Sequence, residues 1–137
     1  MINFSVAAAG EMMVGLRTAI DIGGAAGYVR LYAGTRPATG GTPTTLVATC
    51  PLAHPCGTID AAGALAFDPG ANGLVLVSTT PTWARIFTSA GDFVADCNCR
   101  LIGDAPAPDP EEIVIDALGI VAGAYVSIAG GTIAAPG

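Results

Sequence analysis

The strongest constraint on the fold is a stretch near the middle of the chain, residues 73–101, in which an apolar run at 74–77 is followed by the two halves of a β-hairpin joined by a tight turn. Polar and apolar residues alternate along both halves, and Ser89-Ala90-Gly91 between them is a turn signal. We expect a type I turn with Gly91 in the left-handed conformation, because a two-residue Ala-Gly turn would force Ala90 to positive φ. Such a hairpin is typical of a β-domain that covers its core with one face.

The turn also predicts which residues of the two strands face each other. The expected cross-strand partners are Phe87 and Phe93, Arg85 and Ala95, and Trp83 and Cys97. The face that then covers the core consists of Trp83, Arg85, Phe87, Phe93, Ala95, Cys97, Cys99 and Leu101. Arg85 is the one charge on this face, and we expect it to reach solvent or to pair with a carboxylate.

Shorter segments of the same kind fill the rest of the chain, after one helix. Apolar residues at intervals of three or four predict a helix over 5–22, with Ser5 as its N-cap and Gly23-Gly24 as its stop. Strands are predicted at 28–33, 44–50, 64–67, 112–116, 124–129 and 132–134, and residues 103–112 form an acidic, proline-rich connector. We therefore predict one domain over 1–137, an all-β antiparallel sandwich or jelly-roll-like fold with one short N-terminal helix.

The composition limits the functions that this fold can serve. Of the 137 residues, 52% are hydrophobic and only 12% are charged, against roughly 25% charged in an average globular protein. Such a surface either exposes small residues or is covered by other subunits. The net charge of −6 argues against nucleic-acid binding, which needs a basic face. No signal peptide or membrane span is predicted, and we expect the chain to be made in the cytoplasm.

The four cysteines do not have the spacing of a familiar zinc site. Two prolines lie between Cys50 and Cys56, while Cys97 and Cys99 share one face of a strand. We predict that all four are small buried hydrophobes, with a disulfide between Cys50 and Cys56 as one alternative. The sequence predicts neither a metal nor a cofactor.

Catalytic chemistry has weak candidates. His54, the only histidine, lies in a loop without a nucleophile motif, and we expect it to face solvent. Asp92 and Asp96 could serve a hydrolase, but at i and i+4 of one strand they would lie about 13 Å apart, too far for glycosidase geometry. The chain is therefore predicted not to be an enzyme. Carbohydrate binding is a further alternative, with aromatic platforms at Tyr28, Tyr32 and Trp83.

Three stretches resemble a known family: YVRLYAGTRPATG at 28–40, TWARIFTSAG at 82–91 and IVAGAYVSI at 120–128. They are similar to small, Ala/Gly-rich structural proteins of tailed bacteriophages and prophages, whose "RIYSGTRPA" opening the first stretch resembles. The chain departs from that pattern after the hairpin, where it has Cys97-Asn98-Cys99 and the acidic connector. The resemblance implies a non-enzymatic virion protein that is assembled in the host cytoplasm.

Within that family type, the leading expectation is a capsid cement or decoration protein that binds the major capsid protein. The alternative is a tail or baseplate protein, including one that serves as a receptor- or glycan-binding module. A dimer or trimer is expected, because capsid contacts cluster on symmetry axes, and neither nucleic acid nor membrane is an expected partner. The candidate contact residues are Met12, Met13 and Leu16 of the helix and Thr35, Arg36 and Pro37 of the 34–41 loop.

Overall fold

The computed structural model describes residues 5–102, 112–116 and 120–134, and most of them belong to one curled β-sheet. Helix α1 (Val6–Ile20) comes first and is followed by a 3₁₀ turn, Ile22–Gly24. The strands are β1 (Tyr28–Ala33), β2 (Thr45–Pro51), β3 (Gly57–Ile59), β4 (Leu65–Phe67), β5 (Asn72–Leu74), β6 (Trp83–Phe87), β7 (Phe93–Leu101), β8 (Glu112–Asp116) and β9 (Tyr125–Ile133). Their order in the sheet is β2-β1-β6-β7-β8-β9-β4-β3, and β5 also pairs with β9.

The sheet curls until its two sides meet beside β5. Val75, directly after β5, forms a bridge with Ala48 of β2, and the Leu76 N–H donates to the Val47 carbonyl at 2.7 Å. Gly73 makes this approach possible, because a Cβ at that position would lie 2.2 Å from the Thr49 carbonyl oxygen. The result is a half-barrel with one mainly apolar interior.

The coarse part of the predicted fold is confirmed: the described chain is mostly β, with one N-terminal helix. Where the sequence predicts the two antiparallel sheets of a sandwich, the structure has a single mixed sheet, since β8 runs parallel to β7. A parallel neighbour requires a connection that returns the chain to the other end of the sheet. That connection is the predicted acidic connector, of which all but Glu112 lies outside the described residues.

The interior is built from the inward-facing residues of every long strand. The members that are fully buried include Val29, Leu31, Cys50, Ile86, Ile113, Ile115, Val126 and Ile128. Helix α1 contacts β3 and β4 and contributes Met13 and Ile20 to this core. Its N-terminus is capped as predicted, with the Ala8 N–H donating to Ser5 Oγ at 3.1 Å.

The strand predictions for 28–33 and 112–116 are confirmed to the residue. The prediction of a turn between 129 and 132 is wrong, because Gly130 and Gly131 lie inside the continuous strand β9. Gly131 has φ +138°, and a Cβ there would lie 2.3 Å from the Glu112 carbonyl oxygen. The glycine therefore allows close approach of β8 and does not end the strand.

The hairpin turn is confirmed, but the predicted register holds only next to it. Gly91 has φ +89° and Phe87 lies opposite Phe93, as expected. Beyond this pair a β-bulge shifts the register by one residue. The actual partners are therefore Ile86 and Ala95, Arg85 and Asp96, Ala84 and Cys97, and Trp83 and Asn98.

This one-residue shift reverses the face that β6 turns toward the core. Ala84 and Ile86 are fully buried in the interior beside Cys97, whereas Trp83 and Arg85 lie on the outer face. The predicted core face was thus right for Cys97 and Cys99 of β7 and wrong for β6. Among the described residues, no helix is long and apolar enough to cross a membrane.

Candidate functional site

The outer face of β1 and β6 carries three cross-strand pairs, which we call the outer ladder. The pairs are Tyr28 with Phe87, Arg30 with Arg85, and Tyr32 with Trp83. The period-two alternation that buries Val29 and Leu31 on the inner face puts these large polar and aromatic side chains on the outer one. The β1 half of this ladder follows from the sequence alone, but its β6 half depends on the register shift.

One end of the outer ladder is closed. Tyr32 and Trp83 stack with ring centroids 4.5 Å apart, and the two residues are only 3% and 1% exposed. The Trp83 indole N–H donates to Thr44 Oγ1 at 2.9 Å, and the Thr44 hydroxyl in turn donates to the Ala33 carbonyl. These contacts leave Tyr32 and Trp83 no open ring face, so the carbohydrate platform predicted at these two residues is absent.

In the middle of the ladder, Arg85 forms a closed ion pair. Its Nε and one terminal nitrogen donate to the two Asp96 oxygens at 2.7 and 3.1 Å, and that terminal nitrogen also donates to the Gly41 carbonyl. The guanidinium also lies 5.3 Å from the ring centroids of Trp83 and Phe93. The expectation that Arg85 pairs with a carboxylate is confirmed.

These contacts favour the ionised form of Asp96. Burial by itself would raise the pKa of its carboxyl, but the Arg85 and Gly40 N–H donors, with the charges of Arg85 and Arg36, lower that pKa below its usual range. A carboxylate already occupied by a guanidinium and a backbone N–H is poorly suited to proton transfer. The geometry therefore does not favour the hydrolase alternative that uses Asp92 and Asp96.

The second arginine of the ladder, Arg30, has no such partner. Its guanidinium carbon lies 5.8 Å from the Tyr28 ring centroid and 5.4 Å from that of Phe87, and these two rings stack 4.9 Å apart. Arg30 belongs to none of the ion pairs among the described residues, and its Nε is buried without a hydrogen-bond partner. It also faces Arg85 directly across the strand pair.

A cluster that the sequence did not predict lies at the end of α1. Asp21 accepts a hydrogen bond from the Cys56 backbone N–H at 3.1 Å, and its other oxygen is 3.5 Å from His54 Nδ1. The cluster has the residue types of a nucleophilic site, but burial and the Asp21 charge raise the pKa of the Cys56 thiol to about 12. A thiol in this environment is the opposite of an activated nucleophile. His54 is half exposed, in line with its expected position facing solvent.

All four cysteines are buried and none forms a disulfide within the described residues, so the disulfide considered between Cys50 and Cys56 is not formed. Burial raises the pKa of Cys50 to about 11 and that of Cys99 further. The Cys50 thiol lies 3.6 Å from the Val126 carbonyl, which accepts its weak hydrogen bond. No group of three metal-ligating side chains occurs in the described ranges.

The predicted contact residues differ in their accessibility. Met12 is 42% exposed, whereas Met13 is 6% exposed and belongs to the core. Leu16 is partly buried and packs against that core. In the loop, Thr35 and Arg36 are exposed and Pro37 is half-buried. Met13 therefore stabilises the fold and has no surface to offer a partner, while the other five remain accessible in whole or in part.

A second exposed surface was not predicted from the sequence, because the apolar run at 74–77 does not by itself show which of its faces is buried. We call it the apolar rim; it consists of Leu74, Leu76, Val77, Val121 and Tyr125, which are between 37% and 66% exposed. Segments 74–78 and 121–125 are joined by backbone hydrogen bonds, such as that from the Val75 N–H to the Ala124 carbonyl at 2.9 Å. Val75 points inward and its neighbours outward, so the run has one buried and one exposed face.

The apolar rim and helix α1 lie at opposite ends of β9. Tyr125 of the rim begins this strand, whereas Ile133 at its end pairs with Leu65 of β4, a strand that α1 contacts. Nine residues of extended chain span about 26 Å between the two ends. The exposed Met12 of α1 and the apolar rim are therefore separate apolar sites at opposite ends of β9.

Comparison of the chain with protein-family models, with curated proteins and with solved structures gives no match.

Proposed function

We propose that this chain is a non-enzymatic structural protein of a bacteriophage particle, and specifically a cement or decoration protein of the capsid. The observation that carries the proposal is the pair of exposed apolar surfaces, the rim and the outer side of α1, at opposite ends of the curled sheet. Contiguous exposed apolar surface is typical of protein–protein contact sites. Two such surfaces suit a protein that bridges neighbouring capsid subunits.

The charge distribution supports the same function. The centres of protein–protein interfaces are depleted of charged residues. In this chain only 12% of the residues are charged, and none is a lysine. Each surface is small, so one copy would bind weakly by itself. Repetition over a capsid lattice, with each copy held at both ends, supplies the avidity that a single contact lacks.

The resemblance of 28–40, 82–91 and 120–128 to phage structural proteins gives the proposal its biological setting. In the structure, these stretches form β1 with its loop, β6 with its turn, and the start of β9. They include part of the rim, at Val121 and Tyr125. The stretches that resemble phage structural proteins therefore include both surface residues and core residues.

The copy number of the chain in purified particles tests this function. Quantitative mass spectrometry against the major capsid protein should give a simple ratio that amounts to hundreds of copies per particle. A handful of copies would overturn the cement function and favour the tail or baseplate. Absence from purified particles would overturn any virion function.

Surface variants test the two-surface mechanism. Leu76→Ser in the rim and Met12→Ser on α1 should each lower the occupancy of the chain on particles several-fold, without changing its thermal unfolding. Phe93→Ser is a matched control, because Phe93 is 43% exposed and belongs to neither surface, while Met12 is 42% exposed. Unchanged occupancy in both surface variants would contradict the bridging mechanism.

A tail or baseplate protein that binds a receptor is the second candidate. The observation that favours it is the uncompensated Arg30 beside half-buried aromatic rings, an arrangement that a purely structural surface does not need. The copy-number measurement separates the two candidates.

A further inference from the structure

The outer ladder contains a charge that the fold leaves without a partner. Like charges that face each other across two strands repel, and Arg30 faces Arg85 in this way. Asp96 compensates Arg85 through two hydrogen bonds, but no ion pair among the described residues includes Arg30. The chain has eleven carboxylates for five arginines, so the lack of a partner at Arg30 is not caused by a shortage of acidic residues.

The surroundings of Arg30 make this arrangement costly for the folded chain. Its side chain is half-buried and its Nε is buried with no acceptor. A buried donor without a partner destabilises the folded chain, because it has lost its hydrogen bond to water and gained none in return. The contacts with Tyr28 and Phe87 hold the guanidinium in place but satisfy none of its N–H groups.

We propose that Arg30 is the centre of a binding site for an oxyanion, a carboxylate or a sulfate, carried by an acidic sugar. The planar guanidinium offers a fork of N–H donors that matches a two-oxygen anion. An anion placed there would also neutralise the repulsion between Arg30 and Arg85. This site is independent of the cement function, because it lies on the outer sheet face and belongs to neither apolar surface.

The aromatic pair beside Arg30 favours a sugar as the carrier of the anion. Tyr28 and Phe87 are half-buried, in contrast to Tyr32 and Trp83 at the closed end of the ladder. Both rings lie within 6 Å of the guanidinium carbon, and apolar patches of a sugar ring pack against such partly exposed aromatic surface. The loop that covers Tyr32 and Trp83 thus closes one end of the ladder and leaves the Arg30 end accessible.

Arginine side-chain resonances provide a direct test. The chain has only five arginines, so their Nε–Hε signals can be resolved by ¹H–¹⁵N spectroscopy and assigned by substitution. The full chain is titrated at constant ionic strength with sodium glucuronate, sodium sulfate, and glucose as the neutral sugar. We expect saturable shifts of the Arg30 Nε–Hε signal and of the backbone amides of Tyr28 and Phe87 with glucuronate but not with glucose.

Substitutions show whether the guanidinium is responsible. Arg30→Gln should weaken glucuronate binding roughly tenfold or more, and Arg30→Lys, which keeps the charge but not the fork, should weaken it by a smaller factor. Arg17→Gln, which removes an arginine of α1, should leave it unchanged. Because Arg30 forms no ion pair with any described residue, we expect the Arg30 variants to remain folded, and their amide spectra check this.

The outcomes separate the sources of the anion. Saturation by sulfate as well as glucuronate supports the oxyanion site with little contribution from the sugar ring, and tighter binding of glucuronate supports the aromatic contribution. The absence of saturable shifts with both anions would overturn the proposal. Equal binding by Arg30→Gln and the unsubstituted chain would also overturn it.

Discussion

Strands β1 and β6 bury their whole inner face and one end of their outer face, but the two faces are buried by different chemistry. The inner face presents Val29, Leu31, Ala84 and Ile86, all completely buried against other apolar side chains. The outer face buries Tyr32, Trp83 and Arg85 with stacked rings, a closed ion pair and the 34–44 loop. The inner face depends on volume and shape, whereas the outer face depends on hydrogen bonds and charges that must all be satisfied.

Only the outer face offers a binding site, for a reason that follows from this difference. An apolar interior without unsatisfied groups has nothing left to bind. In the outer ladder, Tyr32 is stacked on Trp83, and Trp83 and Arg85 both donate hydrogen bonds to acceptors of the fold. The Nε–H of Arg30, in contrast, is buried without an acceptor. The difference between the two faces can be measured by removing one element from each.

The largest effect is expected on the inner face. Ile86→Ala should lower the free energy of unfolding by about 4 kcal/mol, because it leaves a cavity in the middle of a packed sheet. Urea denaturation measures this loss. Leu76→Ala in the apolar rim is the control and should change stability by less than about 0.5 kcal/mol. A loss below about 1 kcal/mol for Ile86→Ala would place this side chain outside the core.

The next largest effect is expected on the outer face. Asp96→Asn keeps the shape of the side chain but leaves Arg85, whose side chain is 8% exposed, without its counter-charge. Breaking such a pair from one side should cost about 3 kcal/mol of unfolding free energy. Asp92→Asn, in the exposed turn, is the matched control. Equal stabilities of the two variants would show that the ion pair does not hold the 34–44 loop.

Acid should weaken the outer face before the inner one. The pKa of Asp96 is lowered in the folded chain, so its contribution to stability is complete above the ordinary carboxyl pKa of about 3.9 and is lost as pH falls through the folded-state value. The difference in unfolding free energy between the unsubstituted chain and Asp96→Asn should therefore shrink on titration from pH 5 toward pH 2. A constant difference over this range would refute the ion pair.

A smaller effect is expected at the closed end of the ladder. Thr44→Val removes the acceptor of the Trp83 indole N–H and should cost about 1 kcal/mol. The single tryptophan of the chain reports the change directly through its fluorescence. Thr42→Val, in the same exposed loop, should leave both stability and fluorescence unchanged. An effect of Thr42→Val as large as that of Thr44→Val would mean that the loop contributes through its conformation alone.

The smallest effect is expected from thiol reagents, which probe the inner face. Burial raises the pKa of Cys50 to about 11 and of Cys56 to about 12, so at pH 8 few thiolates form, about one in a thousand for Cys50. Iodoacetamide should leave the native chain unmodified, and intact mass should show four added groups after denaturation. Rapid labelling of the native chain, or a mass lower by two hydrogens, would contradict the buried free thiols.

Local patterns predicted much of the fold. The helix with its Ser5 cap, strands β1 and β8, and the left-handed Gly91 all follow from short-range chemistry that adjacent residues determine. The turn correctly paired Phe87 with Phe93 for the same reason. The bulge beyond that pair could not be predicted, because it depends on which face of β6 fits the interior formed by β1, β7 and β9.

The candidate site was predictable only in part. Alternation in β1 was sufficient to put Tyr28, Arg30 and Tyr32 on one face, but not to show that Tyr32 is covered and Arg30 is not. The apolar rim was hidden in the run at 74–77, since a short apolar run does not reveal whether one or both of its faces are buried.

By itself, the amino-acid sequence determined the mainly β character, the helix, most strand positions and the low charge of the surface, because each follows from local periodicity and composition. Only the tertiary structure decided the mixed sheet order, the reversed face of β6, the closed pair of Arg85 with Asp96 and the unpaired Arg30. These features join residues that are far apart in sequence. Their energies depend on packing and on satisfied hydrogen bonds in three dimensions, which no local pattern contains.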